Sequence, residues 1–484
     1  MQDVMDTEDL KIKDLPRAKA ISKESNFEFD ELFFSITDAK SKITYTNDIF
    51  VRISKYNQEE IVGQLHKLIR HPDMPRSVFY EFWNHLKENR PVAAYVKNMA
   101  KDGSYYWVMA LAFPCDGGYL SIRLKPGSKL FAEIKKLYKT ILEHEKQQET
   151  LTDKKSAMLS SHEQMLRSLQ ELGFADYDEF MWNALQSEMT HREGIIGNNP
   201  GLNQAQKEYL PDELLELESI LRELVMTLGD LKQLHENIDS HSQYILNLSR
   251  SVLLLSKNAQ ISSAKLDSQD RSLSVVAEKM GEQSTSGEKQ LIEMQQTIFQ
   301  LSELIGELNF DIISSKLQTE MTKFFLTEIE ESANSSANQL ISNEKALDLL
   351  YHAFIPKIKT VASGIGKLPD FMKKLKTGVR SIERFLLVLR FVHIKGKVEI
   401  ARMNDQAKSF SNTFEELIKE VDAAEIRLEK LGDVIRKHES TSDQFAGYRG
   451  KLNDLSHKIN RCHNTNEDLA DLRNEKNAQK VVAA

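Results

Sequence analysis

The sequence predicts an α+β domain over residues 27–126, followed by a mostly α region of long antiparallel helical hairpins that form a coiled coil or four-helix bundle. Three observations carry this expectation. Short apolar runs punctuated by turn pairs alternate with brief helical stretches as far as residue 126. Heptad-spaced apolar residues then run into and out of Asn258–Met280, and Lys395–Leu417 repeats that pattern 137 residues later.

Composition narrows the class. The chain has 484 residues, 28% of them charged, and a mean hydropathy of −0.44, which describes a soluble, helix-rich protein. A net charge of −8 and a pI near 6.0 give no basic face for phosphates, so nucleic acid is not expected as a partner. Cys115 and Cys462 lie far apart and outside metal-ligand spacing, which fits free thiols in a reducing compartment. No apolar run approaches the roughly 20 residues that span a bilayer, and the start, with Asp3, Asp6 and Glu8, lacks the pattern of a signal peptide. A cytoplasmic protein without a membrane span is the expectation.

Taken in order, residues 1–26 are charged and aperiodic and read as a flexible segment. Phe33–Thr37 and Ile43–Thr46 read as two strands around a turn at Asp38–Ser41, and Asn47–Ile53 takes helical spacing. A helix follows at Ser77–Glu88, with Val78, Phe79, Phe82, Trp83 and Leu86 on its apolar side. Three more strands, Ala94–Met99, Tyr105–Phe113 and Tyr119–Leu124, are set off by Asp102-Gly103 and Asp116-Gly117-Gly118.

Several of these residues carry a resemblance. Asn47-Asp-Ile-Phe50, Ile61-Val-Gly-Gln64, the run His66-Lys-Leu-Ile-Arg-His-Pro-Asp-Met-Pro75, Val96-Lys-Asn98, Gly103 and Tyr106-Trp107-Val108 resemble the PAS domain of bacterial aerotaxis receptors. The resemblance implies a domain that binds FAD and reports redox state, with Asn47, Arg70, His71, Asp73, Trp83 and Asn98 as pocket residues. The chemistry is reasonable in itself: Asn47 and Asn98 suit the edge of a flavin ring, Arg70 and His71 its pyrophosphate, and Trp83 and Trp107 an apolar wall. Val92 stands where the family has a tryptophan, and Leu65 where it has a proline. Each residue also has a plainer role open to it: Asn47 as a helix cap, His71-Pro-Asp as a turn, Trp83 as core. Haem, or no ligand at all, remains an alternative to FAD.

Residues 127–205 read as a helical linker. Leu130, Ile134, Leu137 and Ile141 mark one amphipathic helix, Phe174, Tyr177, Phe180, Met181 and Trp182 an aromatic one, and Asn198-Asn-Pro-Gly201 a break. A first hairpin is expected over 206–335, its tip at 266–270, and a second over 367–437, its tip at 403–407. The segment 336–366 connects them, interrupted by Pro356 and Gly364-Ile-Gly366. Arms of about 50 residues give hairpins of roughly 75 Å. A polar tail, 438–484, completes the chain. Register supports the repeat: Leu291, Met294 and Ile298 recur 137 residues on as Leu428, Leu431 and Ile435.

The first tip resembles the signalling tip of methyl-accepting chemotaxis proteins through Asn258, Ala259, Ile261, Ala264, Lys265, Arg271, Leu273, Val275, Val276, Ala277 and Glu278; Ser262 stands at the family's glutamate, and the turn glycines are absent. The second tip has Glu399 and Arg402 at the corresponding places. The resemblance implies a protein partner, a chemotaxis histidine kinase or coupling protein, met by Asn258, Ile261, Lys265, Arg271, Glu399 and Arg402. Two related hairpins in one chain can form a four-helix bundle within a monomer, where ordinary coiled coils would form a homodimer. No P-loop, nucleophile elbow or zinc spacing is present, so no enzymatic activity is expected. The expected function is a cytoplasmic sensory transducer; the alternative is a non-enzymatic scaffold or localisation protein.

Overall fold

Antiparallel pairing of five short strands builds the N-terminal sheet. The computed structural model describes residues 17–197, 211–227, 272–331, 337–402 and 408–482, with isolated helical positions between 244 and 261. The chain divides into two units, one holding Met1–Arg222, Asn309–Val361 and Leu452–Ala484, the other Glu223–Leu308 and Ala362–Lys451.

In the first unit, β1 (Phe33–Asp38), β2 (Ile43–Thr46), β3 (Val92–Met99), β4 (Tyr105–Cys115) and β5 (Gly118–Leu124) lie in the order β2-β1-β5-β4-β3. Local chemistry makes the turns. Asp38 Oδ1 accepts from the Lys40 and Lys42 amides at 2.9 and 2.8 Å and closes the β1–β2 corner. Gly117, at φ +78°, supplies the left-handed residue of the β4–β5 turn. The helices α1 (Asp48–Ser54), α2 (Gln58–Ile61), a 3-10 turn (His66–Ile69) and α3 (Arg76–Lys87) fill the connection from β2 to β3.

Strand alternation gives the sheet two buried faces. Phe33, Ser35, Tyr106, Ser121 and Arg123 share the inner face, towards Phe50 of α1 and His66. On the outer face Trp107 and Tyr95 meet Phe131 of α4 (Lys129–Leu151) at ring distances of 5.4 and 5.3 Å. Helix α5 (Lys154–Glu171) packs back on α4, and α6 (Tyr177–Gly197) lies along β3. Glu188 of α6 is fully buried and its hydrogen bonds explain how: it accepts from the Tyr95 hydroxyl at 2.7 Å and from the Gly127 amide at 2.6 Å, as well as from Ser128.

Among the described residues the further helices are α7, over 212–227, α8 (Ser272–Glu331), α9 (Ala337–Ile365), α10 (Leu368–Arg402) and α11 (Lys408–Val482). Within the first unit, Phe325 of α8 lies 5.0 Å from Phe34 and 5.7 Å from Tyr45 on the outer face of the sheet. Arg192 of α6 and Lys316 of α8 share the part-buried Glu320, which their charges, against the cost of burial, hold down at a pKa of about 2. Within the second unit, Leu291, Met294 and Ile298 are buried, as are Leu428, Leu431 and Ile435 at the repeat positions. Helices of both expected hairpins meet here: Gly287 of α8 lies under the Phe385 ring of α10, and Arg427 of α11 sits 3.8 Å from the centroid of the Tyr244 ring.

The fold class is as the sequence predicts, but four local expectations change. Residues 17–26 are tied to β4 rather than loose, with the Ser25 amide donating to Tyr105 O at 2.7 Å and the Tyr105 amide to Lys23 O at 2.9 Å. Pro356 lies inside α9, where burial of Leu350, Phe354, Ile358 and Val361 on both sides outweighs the lost backbone bond. The segment 336–366 is therefore nearly all helix, and the break comes at Gly366-Lys367. Residues 438–482 of the expected tail belong to α11, anchored by buried Phe445, Leu452, Leu455 and Ile459. Both hairpin tips, 266–270 and 403–407, lie outside the described residues.

Candidate functional site

The inner face of the sheet gathers chemistry that the packing of the domain does not use. Its floor is small: Ser35, Ala94, Ala110, Ala112 and Ser121 sit at inward positions of neighbouring strands and are flanked by Phe33 and Tyr106. Arg123, 1% exposed, stands at one end. One of its amino groups donates to Ser121 O at 3.0 Å and another meets His66 Nε2 at 2.6 Å, with the guanidinium 5.2 Å from the Phe50 ring centroid. Among the described residues no carboxylate pairs with it. Burial lowers its pKa to about 10, so it stays charged at neutral pH. Burial and the Arg123 charge push His66 down to about 3; its ring is neutral and accepts from the guanidinium. The Tyr106 hydroxyl and Ser35 Oγ are buried without a hydrogen-bond partner. A buried cation lacking its counter-charge, beside orphaned hydroxyls, is an arrangement that a polar planar ligand would complete.

The residues expected at the site fall into three places. Arg70, His71, Asp73 and Asn98 come together along the edge of β3. Arg70 and Asn98 form an antiparallel bridge, the His71 amide donates to Lys97 O at 3.2 Å, and Arg70 lies 4.0 Å from the Phe79 ring centroid. The Arg-His-Pro-Asp run is also a turn: the Asp73 amide donates to His71 Nδ1 at 3.1 Å and Met74 N to His71 O at 3.1 Å. Burial and Lys97 lower the His71 pKa to about 4, leaving the ring neutral. The Asp73 carboxylate bonds Lys97 Nζ at 2.7 Å at the rim. Asn98 is buried opposite Tyr106 on the inner face. Trp83 lies on the inner side, its ring 5.2 Å from Tyr119, and keeps part of its surface exposed.

Two expectations change. Trp107 is on the outer face, because Tyr106, its neighbour in β4, takes the inward position. Asn47 is fully buried but turned towards α8: its Oδ1 accepts from the Phe34 amide at 3.0 Å and its Nδ2 donates to Glu328 at 3.0 Å, while the Asp48 amide donates to the same carboxylate at 2.6 Å. Tyr45 adds a hydroxyl bond to Asn343 of α9 at 2.8 Å. Arg123, Tyr106, Ser35 and His66 were not among the expected site residues. The available signal was parity, since an arginine two positions after Ser121 in a strand must share its inward face. Of the residues expected to meet a partner, Asn258 and Ile261 are exposed helical positions, Glu399 and Arg402 pair at 3.2 Å, and Lys265 and Arg271 lie outside the described residues.

Among the described residues no helix is long and apolar enough to cross a membrane, and no cluster of three His, Cys, Asp or Glu could hold a metal. Residues 43–119 match the family described as PAS fold. An aerotaxis receptor of Escherichia coli (strain K12) is 42% identical over 117 residues, 23% of this chain and 23% of that protein. A nitrogen fixation regulatory protein of Klebsiella pneumoniae is 34% identical over 74 residues, 15% of each. The chain thus spans less than a quarter of the length of these curated relatives. Among solved structures, the light-state blue-light photoreceptor Aureochrome1 LOV aligns at 20% identity over 21% of this chain and 86% of that one, with a TM-score of 0.19. The N-terminal domain is a PAS domain with similarity to an aerotaxis receptor.

Proposed function

We propose that this chain is a cytoplasmic, non-enzymatic sensory transducer whose PAS domain holds FAD on the inner face of its sheet and passes the redox state of that group through the long helices to a chemotaxis-type protein partner. The observation that carries this is Arg123, a buried guanidinium with no carboxylate partner among the described residues, at one end of a floor of small side chains that also holds the unpartnered Tyr106 hydroxyl. A bound flavin would supply reversible electron transfer at its ring. Arg123 would donate to the electron-rich edge of that ring, with neutral His66 fixing the guanidinium from behind. Tyr106 and Asn98 would add hydrogen bonds, and Phe33 and Phe50 would exclude water. Arg70 at the β3 edge suits a pyrophosphate. Output would start at Asn47 and Phe34, whose contacts with Glu328 and Phe325 join the sheet to α8.

The absorption spectrum of freshly purified protein tests the input side. Visible flavin bands, or saturable uptake of added FAD that weakens at least about ten-fold in Arg123→Ala, are expected; a colourless protein that takes up no FAD would sink the redox reading. A non-signalling scaffold is the second reading, favoured by Asn47, whose amide is engaged by Glu328 rather than directed at the inner face. Capture of purified histidine kinase or coupling protein by the transducer, but not by a scaffold, separates the two.

A further inference from the structure

Helix α10 buries one side in the second unit, through residues such as Leu375, Ile382 and Leu389, and carries a second apolar row on its opposite side. Leu387, Phe391, Ile394 and Val398 are 62, 60, 55 and 44% exposed. Steps of four, three and four residues keep them within an arc of roughly 60° and along about 16 Å of helix. A row so narrow is the seam of a helix–helix contact rather than the broad apolar face of a helix lying in a lipid surface. Its surroundings are basic. Arg380 and Arg384 continue the same row towards the start of the helix at the same three-and-four spacing, and both are exposed. Lys395 and Lys397 flank it, Lys395 lying 5.9 Å from the Phe391 ring centroid, and Arg402 follows beyond Val398. The acids nearby are Glu383, exposed on the same helix, Glu399, paired with Arg402, and Asp422 and Glu425, both bound by Arg390.

We infer that this row is the docking site for an acidic amphipathic helix of a partner protein, its apolar residues packing on Leu387, Phe391, Ile394 and Val398 and its carboxylates meeting Arg384, Lys395 and Lys397. A second copy of this chain fits poorly, because pairing the row with itself in either direction sets arginine and lysine against one another. The inference deepens the transducer reading by naming where the partner engages. It is tested without cofactor, so it can fail while FAD uptake succeeds, and the reverse.

The test uses the full chain and a labelled four-heptad peptide with leucine at a and d and glutamate at e and g, followed by fluorescence anisotropy. Saturable binding is expected, at least about ten-fold tighter than for the matching lysine peptide and lost by at least about ten-fold in Phe391→Ser with Ile394→Ser. Lys395→Glu with Lys397→Glu reverses the preference between the two peptides and serves as the second variant if the first melts early by circular dichroism. Absence of saturable binding, equal binding of both peptides, or binding unchanged in either variant overturns the inference. So does sedimentation of the chain with phosphatidylglycerol vesicles, or a doubled solution mass, if either is abolished by the Phe391 and Ile394 changes while the glutamate peptide stays unbound.

Discussion

Arg123 and Tyr106 pose the same problem at the scale of single residues: a polar group taken out of water and left incompletely paired. An unpartnered buried hydroxyl costs free energy that a phenylalanine would not. Tyr106→Phe is therefore expected to raise the stability of cofactor-free protein by about 1 kcal/mol while weakening FAD uptake, and chemical denaturation with and without FAD reads both effects. His85 offers a pH test elsewhere in the first unit. Burial opposes its charge, but Asp178, 2.6 Å from Nε2, and Glu81 O, 3.0 Å from Nδ1, outweigh that cost, and its pKa is raised despite Arg90. The stabilisation is complete below the unfolded value of about 6.5 and is lost as pH rises through the raised folded value. Melting temperature measured from roughly pH 6 to 8 should fall more steeply in the native chain than in His85→Gln.

Among the elements, the glycines of α8 and α10 look alike in sequence and differ in consequence. A Cβ on Gly378 would meet Met294 at 3.4 Å, an ordinary contact with a flexible side chain. Replacing helical glycine by alanine relieves backbone entropy, so Gly378→Ala should stabilise by about 0.5–1 kcal/mol. A Cβ on Gly287 would overlap the rigid Phe385 ring. Gly287→Ala should cost about 1–3 kcal/mol in overpacking, set against a helix-propensity gain of at most about 1 kcal/mol. Opposite shifts in thermal midpoint for the two variants are the expected outcome. Phe325 of α8 is fully buried between Phe34 and Tyr45, and Phe325→Ala should destabilise the first unit by about 3–5 kcal/mol.

For the whole molecule, the second unit brings together helices of both hairpins within one chain, at Gly287 with Phe385 and Tyr244 with Arg427. A concentration-independent solution mass near 55.5 kDa is the expected result; a mass of twice that, held through the arms, would oppose an intramolecular bundle. Much of this architecture was legible. Strand positions followed from alternation and turn glycines, and the seams of α8 and α10 from heptads. What escaped did so for physical reasons. Phe445, Leu452, Leu455 and Ile459 are widely spaced among polar residues, so the second half of α11 reads as a polar tail rather than as helix. Pro356 carried a local prohibition that burial overrode. Trp107 reads as an aromatic wall for a ligand, although strand parity gives the inward place to Tyr106, and Arg123 gains its inward place only once its parity with Ser121 is set in the sheet.

The Glu328 contact also has a kinetic meaning. The Asp48 amide is in the first turn of α1, where an N–H has no acceptor within its own helix, and here its acceptor belongs to α8. Its hydrogen exchange is then a clock for separation of the sheet edge from α8: protected while they touch, exchanging when they part. Followed with and without FAD, that single proton would count how often the sensor lets go of the helix it is attached to.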